Sequence, residues 1–77
     1  MRLVDAVYLR TEQLLKEKSM TMYKLATDGG VPYSTIATMK NSKTVTLATV
    51  YGICQGFKIS LSEFFASPVF DDENVGD

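Results

Sequence analysis

LATDGGVPYSTIATMK, residues 25–40, reads as a short helix, a glycine turn and a second helix with its apolar positions on one face. Gly30, Val31, Ile36 and Met39 follow Ala26 at offsets of 4, 5, 10 and 13. That spacing supplies what two closely crossing helices require. A small residue lies at the crossing, a glycine is free to take positive φ, and apolar residues anchor the second helix. The pattern is a helix-turn-helix, and a helix presented in this way fits the major groove of DNA.

Working outward, residues 3–18 form a first amphipathic helix, with Leu3, Val7, Leu14 and Leu15 as an apolar stripe joined by Val4 and Thr11. Thr21 caps a short second helix over about 22–28, with Leu25 and Ala26 inward. Asp28-Gly29-Gly30 is the turn, because paired glycines continue a helix poorly. A third helix runs from Pro32 to about Lys40, with proline tolerated in its first turn. The polar segment 41–46 then leads to Thr46, the cap of a fourth helix from Leu47 to about Gly56, with Leu47, Val50, Tyr51 and Cys54 expected to be buried. Ser60-Leu61-Ser62-Glu63 is a capping box. It opens a fifth helix to Ala66, with Leu61, Phe64 and Phe65 folding inward. The expected fold is all-α: five short helices with the helix-turn-helix at helices 2 and 3.

Composition bounds the rest. Seventy-seven residues make one domain, and 45% apolar content with two prolines argues for a packed core. One cysteine, Cys54, precludes an internal disulfide, and with no histidine present no metal site and no cofactor are expected. No small-molecule ligand is expected either. No apolar run approaches the roughly 20 residues that span a membrane. The first residues lack a signal peptide's apolar stretch, so the expected location is cytoplasmic. The net charge of −1 is unevenly placed. Residues 71–77 carry four acids and no base, whereas residues 1–70 carry eight bases and five acids, a net of +3. The expected organisation is a folded domain over 1–67 followed by an acidic, disordered tail over 68–77. An enzyme is not expected, since no acid/base or nucleophile cluster stands out.

With these elements in place, the chain resembles the Cro/C1-type (XRE-type) helix-turn-helix regulators of phage and bacteria. LLKEKSMT, LATDGGV, STIATMKN and ISLSEFF carry the resemblance, in the family's order and spacing, over residues 4–66. It implies a lambda-repressor-like DNA-binding domain whose recognition helix is Pro32–Asn41. Tyr33, Ser34, Ala37 and Thr38 would then meet base edges. Serine and threonine hydroxyls discriminate bases poorly, threonine and alanine methyls can pack on a thymine methyl, and readout of DNA shape would contribute. Thr21, Tyr23, Thr35, Lys40, Asn41, Lys43 and Thr46 would meet phosphates. The resemblance further implies a sequence-specific, repressor-like regulator of transcription. It would act as a homodimer on a two-fold symmetric double-stranded operator, with half-sites about 34 Å apart. Phe64, Phe65, Val69 and Phe70 are the expected dimer surface. A module or antitoxin that binds a protein partner through the same fold is the alternative.

Three features depart from the family pattern. Met22 stands where glutamine is usual at the start of helix 2. Leu15 and Lys40 occupy places that often hold an arginine–glutamate pair. Gly56-Phe57-Lys58 displaces the glycine usual after helix 4. Gly30→Val is expected to destabilise the turn, because a β-branched residue resists positive φ.

Overall fold

The computed structural model describes residues 1–76. Five α-helices run in order: α1 (Leu3–Glu17), α2 (Met22–Gly29), α3 (Tyr33–Ala37), α4 (Leu47–Phe57) and α5 (Leu61–Phe65). Short 3-10 turns cover Met39–Asn41 and Pro68–Phe70, and no strand occurs among the described residues. Among the described residues, no helix is long and apolar enough to cross a membrane.

The helix starts follow the sequence. The side chains of Thr21, Thr46 and Ser60 accept hydrogen bonds from the backbone N–H groups of Lys24, Thr49 and Glu63 at 3.1, 3.1 and 3.0 Å. Each satisfies a donor that the first helical turn leaves without an intrahelical partner. The helix ends are less obvious. α1, α2 and α4 all close with a left-handed residue: Ser19 (φ 51°), Gly30 (φ 67°) and Lys58 (φ 60°). In each case the next amide reaches back five residues. Met20 donates to the Leu15 carbonyl, Val31 to Ala26 and Ile59 to Cys54, at 2.9, 3.0 and 3.0 Å. This is the Schellman closure, with an apolar residue placed over the last turn. Lys58 thus fills the place of the displaced glycine and adopts its backbone conformation.

α2 and α4 cross closely enough that their backbones meet. A Cβ on Gly29 would overlap the Gly52 carbonyl, and one on Gly56 would stand 2.7 Å from the Leu25 carbonyl oxygen. Gly56 therefore lies inside α4 at the crossing, not at the helix end. Around this crossing Val4, Val7, Leu14, Leu25, Ala26, Ile36, Met39, Val50, Ile53, Cys54, Phe57 and Phe64 form one apolar cluster. Thr11 is fully buried among them, and its hydroxyl donates to the Val7 carbonyl at 2.8 Å. Burial raises the Cys54 thiol pKa above its ordinary value, which keeps it a neutral core residue.

Several expectations need correction. The inward face of α4 is Val50, Ile53, Cys54 and Phe57, whereas Leu47 and Tyr51 are 72% and 54% exposed. The face is rotated because Gly52 and Gly56 must point at α2. Leu3, Leu61 and Phe65 are also exposed, at 45%, 39% and 37%. The third helix is shorter than expected: α-geometry ends at Ala37, and the chain tightens into the 3-10 turn that buries Met39.

The segment after residue 67 is not a free tail in this structure. Val69 is buried, and the Phe70 ring lies 5.9 Å from Phe64 and 4.9 Å from Phe65. Two apolar side chains gain more by covering the core than by solvation. Beyond them the Met1 ammonium donates to the Asn74 carbonyl at 2.8 Å, and the Gly76 amide donates to the Met1 carbonyl at 2.9 Å. Asp77 lies outside the described residues.

Candidate nucleic-acid interface

The candidate reading face is built by α3, which packs against α2. Ile36 and Met39 anchor it, with 0% and 3% exposure. With those two inward, Tyr33, Ser34, Thr35 and Thr38 stand at the surface and Ala37 is half-buried. All four residues expected to meet base edges therefore lie on one short segment and retain accessible surface.

The Tyr33 ring, 51% exposed, lies 6.4 Å from the Tyr23 ring, which is 71% exposed. This contact joins the start of α2 to the start of α3 across the turn. The Thr38 hydroxyl donates to the Ser34 carbonyl at 2.6 Å, so its proton is already used.

The residues expected to meet phosphates fall into two groups. Thr21, Tyr23, Thr35, Asn41 and Lys43 are exposed around the face. The Thr21 hydroxyl accepts the capping bond from Lys24 and keeps its own proton to offer. Thr46 and Lys40 are more constrained. Thr46 accepts from the Thr49 amide and donates to the Thr49 hydroxyl at 3.1 Å, so its side chain is committed to the cap. What Thr46 provides is an ordered N-terminus of the eleven-residue α4, whose free amides suit an anion. The Lys40 ammonium rests 5.3 Å from the centre of the Tyr8 ring and would have to leave it to reach a phosphate. Tyr8 thus partners the lysine that stands in the place of the family's glutamate.

Charge near the face is sparse. Lys24 pairs with Asp28 at 3.0 Å, four residues along α2. Arg2, unnoticed in the sequence, donates to the Lys40 carbonyl at 2.8 Å and grips Asp5 with two bonds of 3.0 and 2.9 Å. These hydrogen bonds hold the Asp5 carboxyl pKa below its ordinary value. Arg2 brings a cation to the 3-10 turn after α3 across 38 residues of chain. No local sequence signal marks such a contact. Arg10 serves the scaffold instead: it donates to the carbonyls of Phe64 and Glu63 at 2.7 and 2.8 Å and holds the end of α5.

The expected dimer surface changes most. Phe64 is 0% exposed and Val69 8%, so neither has surface to give a second chain. Phe70 is half-buried against the other two phenylalanines. The cluster closes on its own chain because three aromatic rings satisfy one another at edge-to-face or tilted angles. Phe65 remains exposed, beside Leu61 on the same helix.

Comparison with protein families finds a match over residues 12–68 to the model described as Cro/C1-type HTH DNA-binding domain. Comparisons with curated proteins and with solved structures found no match.

Proposed function

Because the chain belongs to the Cro/C1-type HTH DNA-binding family, we propose that it is a sequence-specific, double-stranded DNA-binding regulator of transcription, repressor-like, acting as a homodimer on a two-fold symmetric operator. The observation that carries this reading is the exposed run Tyr33, Ser34, Thr35 and Thr38, with capped N-termini on α2, which the Tyr23–Tyr33 contact joins to the run, and on α4. The face supplies groove contacts, and the two N-termini with Lys43 and Asn41 supply phosphate contacts on either side. Tyr33, Ser34, Ala37 and Thr38 are the base-reading residues. Thr21, Tyr23, Thr35, Asn41 and Lys43, with the α4 N-terminus at Thr46, hold the backbone, and Lys40 joins them by leaving Tyr8.

Dimerisation follows from affinity. A five-residue helix buries too little surface for tight specific binding, and symmetry doubles it. Leu61 and Phe65, exposed on α5, are the apolar residues that support this role; Phe64 and Val69 do not.

Selection of bound sites from a random duplex pool tests the proposal. The expected result is an inverted repeat with half-site centres about one helical turn apart. Binding should weaken as salt rises, with a log–log slope of about −0.9 per phosphate neutralised. Absence of binding to any duplex at low salt contradicts the proposal and turns attention to a protein partner.

A further inference from the structure

The recognition face carries an unusual chemistry for a reader of base edges. Between Tyr33 and Thr38 there is no arginine, lysine, glutamine or asparagine. Those are the side chains that bind purine edges with paired hydrogen bonds. Asn41 is the nearest amide, three residues further along in the 3-10 turn. Lys40 is directed at Tyr8.

What remains on the face is methyl groups, a tyrosine ring and hydroxyls, none of which binds a purine edge with paired hydrogen bonds. The Thr38 hydroxyl spends its proton on the Ser34 carbonyl at 2.6 Å, so it can only accept a further hydrogen bond, and its γ-methyl is left for apolar contact. Ala37 offers only its β-methyl. The Tyr33 ring, one helical turn before Ala37, is in tilted contact with the Tyr23 ring. Ser34 keeps a hydroxyl, which donates or accepts with equal ease and does not choose between bases.

The major groove has one strongly apolar feature, the C5-methyl group of thymine. We propose that the face formed by Tyr33, Ala37 and Thr38 selects 5-methylpyrimidine edges, with the Thr38 γ-methyl as the principal contact, so that its half-site is read through thymine methyl groups. This inference rests on the DNA-binding reading above and adds the chemical class of the bases. By using the hydroxyl proton, the Thr38–Ser34 hydrogen bond removes the side chain's donor and leaves only its acceptor lone pairs beside the methyl.

The test uses four short alternating duplexes measured at low salt: dA·dT, dA·dU, dG·dC and dG·5-methyl-dC. Uracil lacks the methyl of thymine, and 5-methylcytosine adds it to a pair of different groove shape. The paired comparison therefore isolates the methyl group from DNA shape. The expected result is weaker binding to dA·dU than to dA·dT by roughly fourfold for each methyl in contact, and a similar gain for 5-methyl-dC over dC. Thr38→Ser keeps the hydroxyl bond and deletes the methyl, so its thymine-to-uracil ratio should fall towards one. Thr38→Val keeps a methyl and deletes the hydroxyl, so the ratio should persist. Equal binding to all four duplexes by the unaltered protein overturns the methyl reading and leaves DNA binding standing. A ratio unchanged in Thr38→Ser overturns the assignment to Thr38. Failure to bind any of the four overturns both the methyl reading and the function it rests on.

Discussion

Thr38→Glu is expected to abolish binding to duplex DNA while the protein stays folded, its melting midpoint lowered by no more than about 8 °C. Thr38 is exposed at the end of α3, so a longer side chain meets no core atom. The change removes one hydrogen bond, Thr38 to the Ser34 carbonyl at 2.6 Å. Such a bond contributes about 1 kcal/mol, which for a domain of this size moves the melting midpoint by roughly 4–8 °C at most. Against DNA the effect is far larger. A carboxylate would enter a groove walled by phosphates, and a like-charge contact of that kind costs several kcal/mol. A loss of at least about a hundredfold in affinity is expected, since each 1.4 kcal/mol is a factor of ten. Filter binding or fluorescence anisotropy on a random duplex, paired with a circular-dichroism melt, checks both halves. Unchanged affinity in a folded Thr38→Glu protein would falsify the assignment of this face.

The second large effect concerns the scaffold. Gly29→Ala should destabilise the domain by about 3 kcal/mol or more. The added Cβ overlaps the Gly52 carbonyl oxygen and stands 3.1 Å from its carbon and 3.4 Å from the Gly56 nitrogen. All three are backbone atoms of α4, which cannot rotate away as a side chain can. α2 and α4 must separate, and the cluster around Leu25 and Ile53 loosens with them. Alanine's better helix propensity returns at most about 1 kcal/mol. Domains of this length have total stabilities of about 4–12 kcal/mol, so the melting midpoint should fall by more than about 10 °C. Gly30→Ala provides the comparison. Gly30 has φ 67° and nothing within 4 Å of an added Cβ, so its cost is the backbone term alone, about 1–2 kcal/mol. If Gly29→Ala melts at or above Gly30→Ala, the close crossing of α2 and α4 is wrong.

That contrast shows which parts of the fold are legible in the chain. The turn at Gly30, the caps at Thr21, Thr46 and Ser60, and the anchors Ile36 and Met39 each follow from a local rule, and each stands in the structure as read. The register of α4 does not follow from such a rule. Leu47, Val50, Tyr51 and Cys54 make as good an apolar stripe as Val50, Ile53, Cys54 and Phe57. Only the need to turn Gly52 and Gly56 towards α2 decides between them, and that is a tertiary condition. The left-handed closures at Ser19 and Lys58 are hidden for a related reason, because neither residue is a glycine. The apolar residues after Pro68 gave no local sign of whether they serve a second chain or their own. The aromatic cluster with Phe64 places them on their own.

The candidate face was legible in outline. Positions 33, 34, 37 and 38 follow from helical periodicity once Ile36 and Met39 are set inward. Its finer chemistry was not, because it depends on contacts between distant or back-bonded groups. Examples are Arg2 at the Lys40 carbonyl, Lys40 on Tyr8, and the Thr38 hydroxyl on Ser34. The capping duty of Thr46 was visible in the sequence. Its consequence, that the side chain is not free for phosphate, emerges only from the paired bonds with Thr49.

The most direct measurement is a backbone-amide chemical-shift map of the protein titrated with a random-sequence duplex at low salt. The largest changes are expected at residues 21–24, 33–38 and 41–47, with the amides of α5 and of the middle of α1 unmoved. Shifts concentrated on α1 or α5, with the segment 33–38 unaffected, would contradict the assigned face.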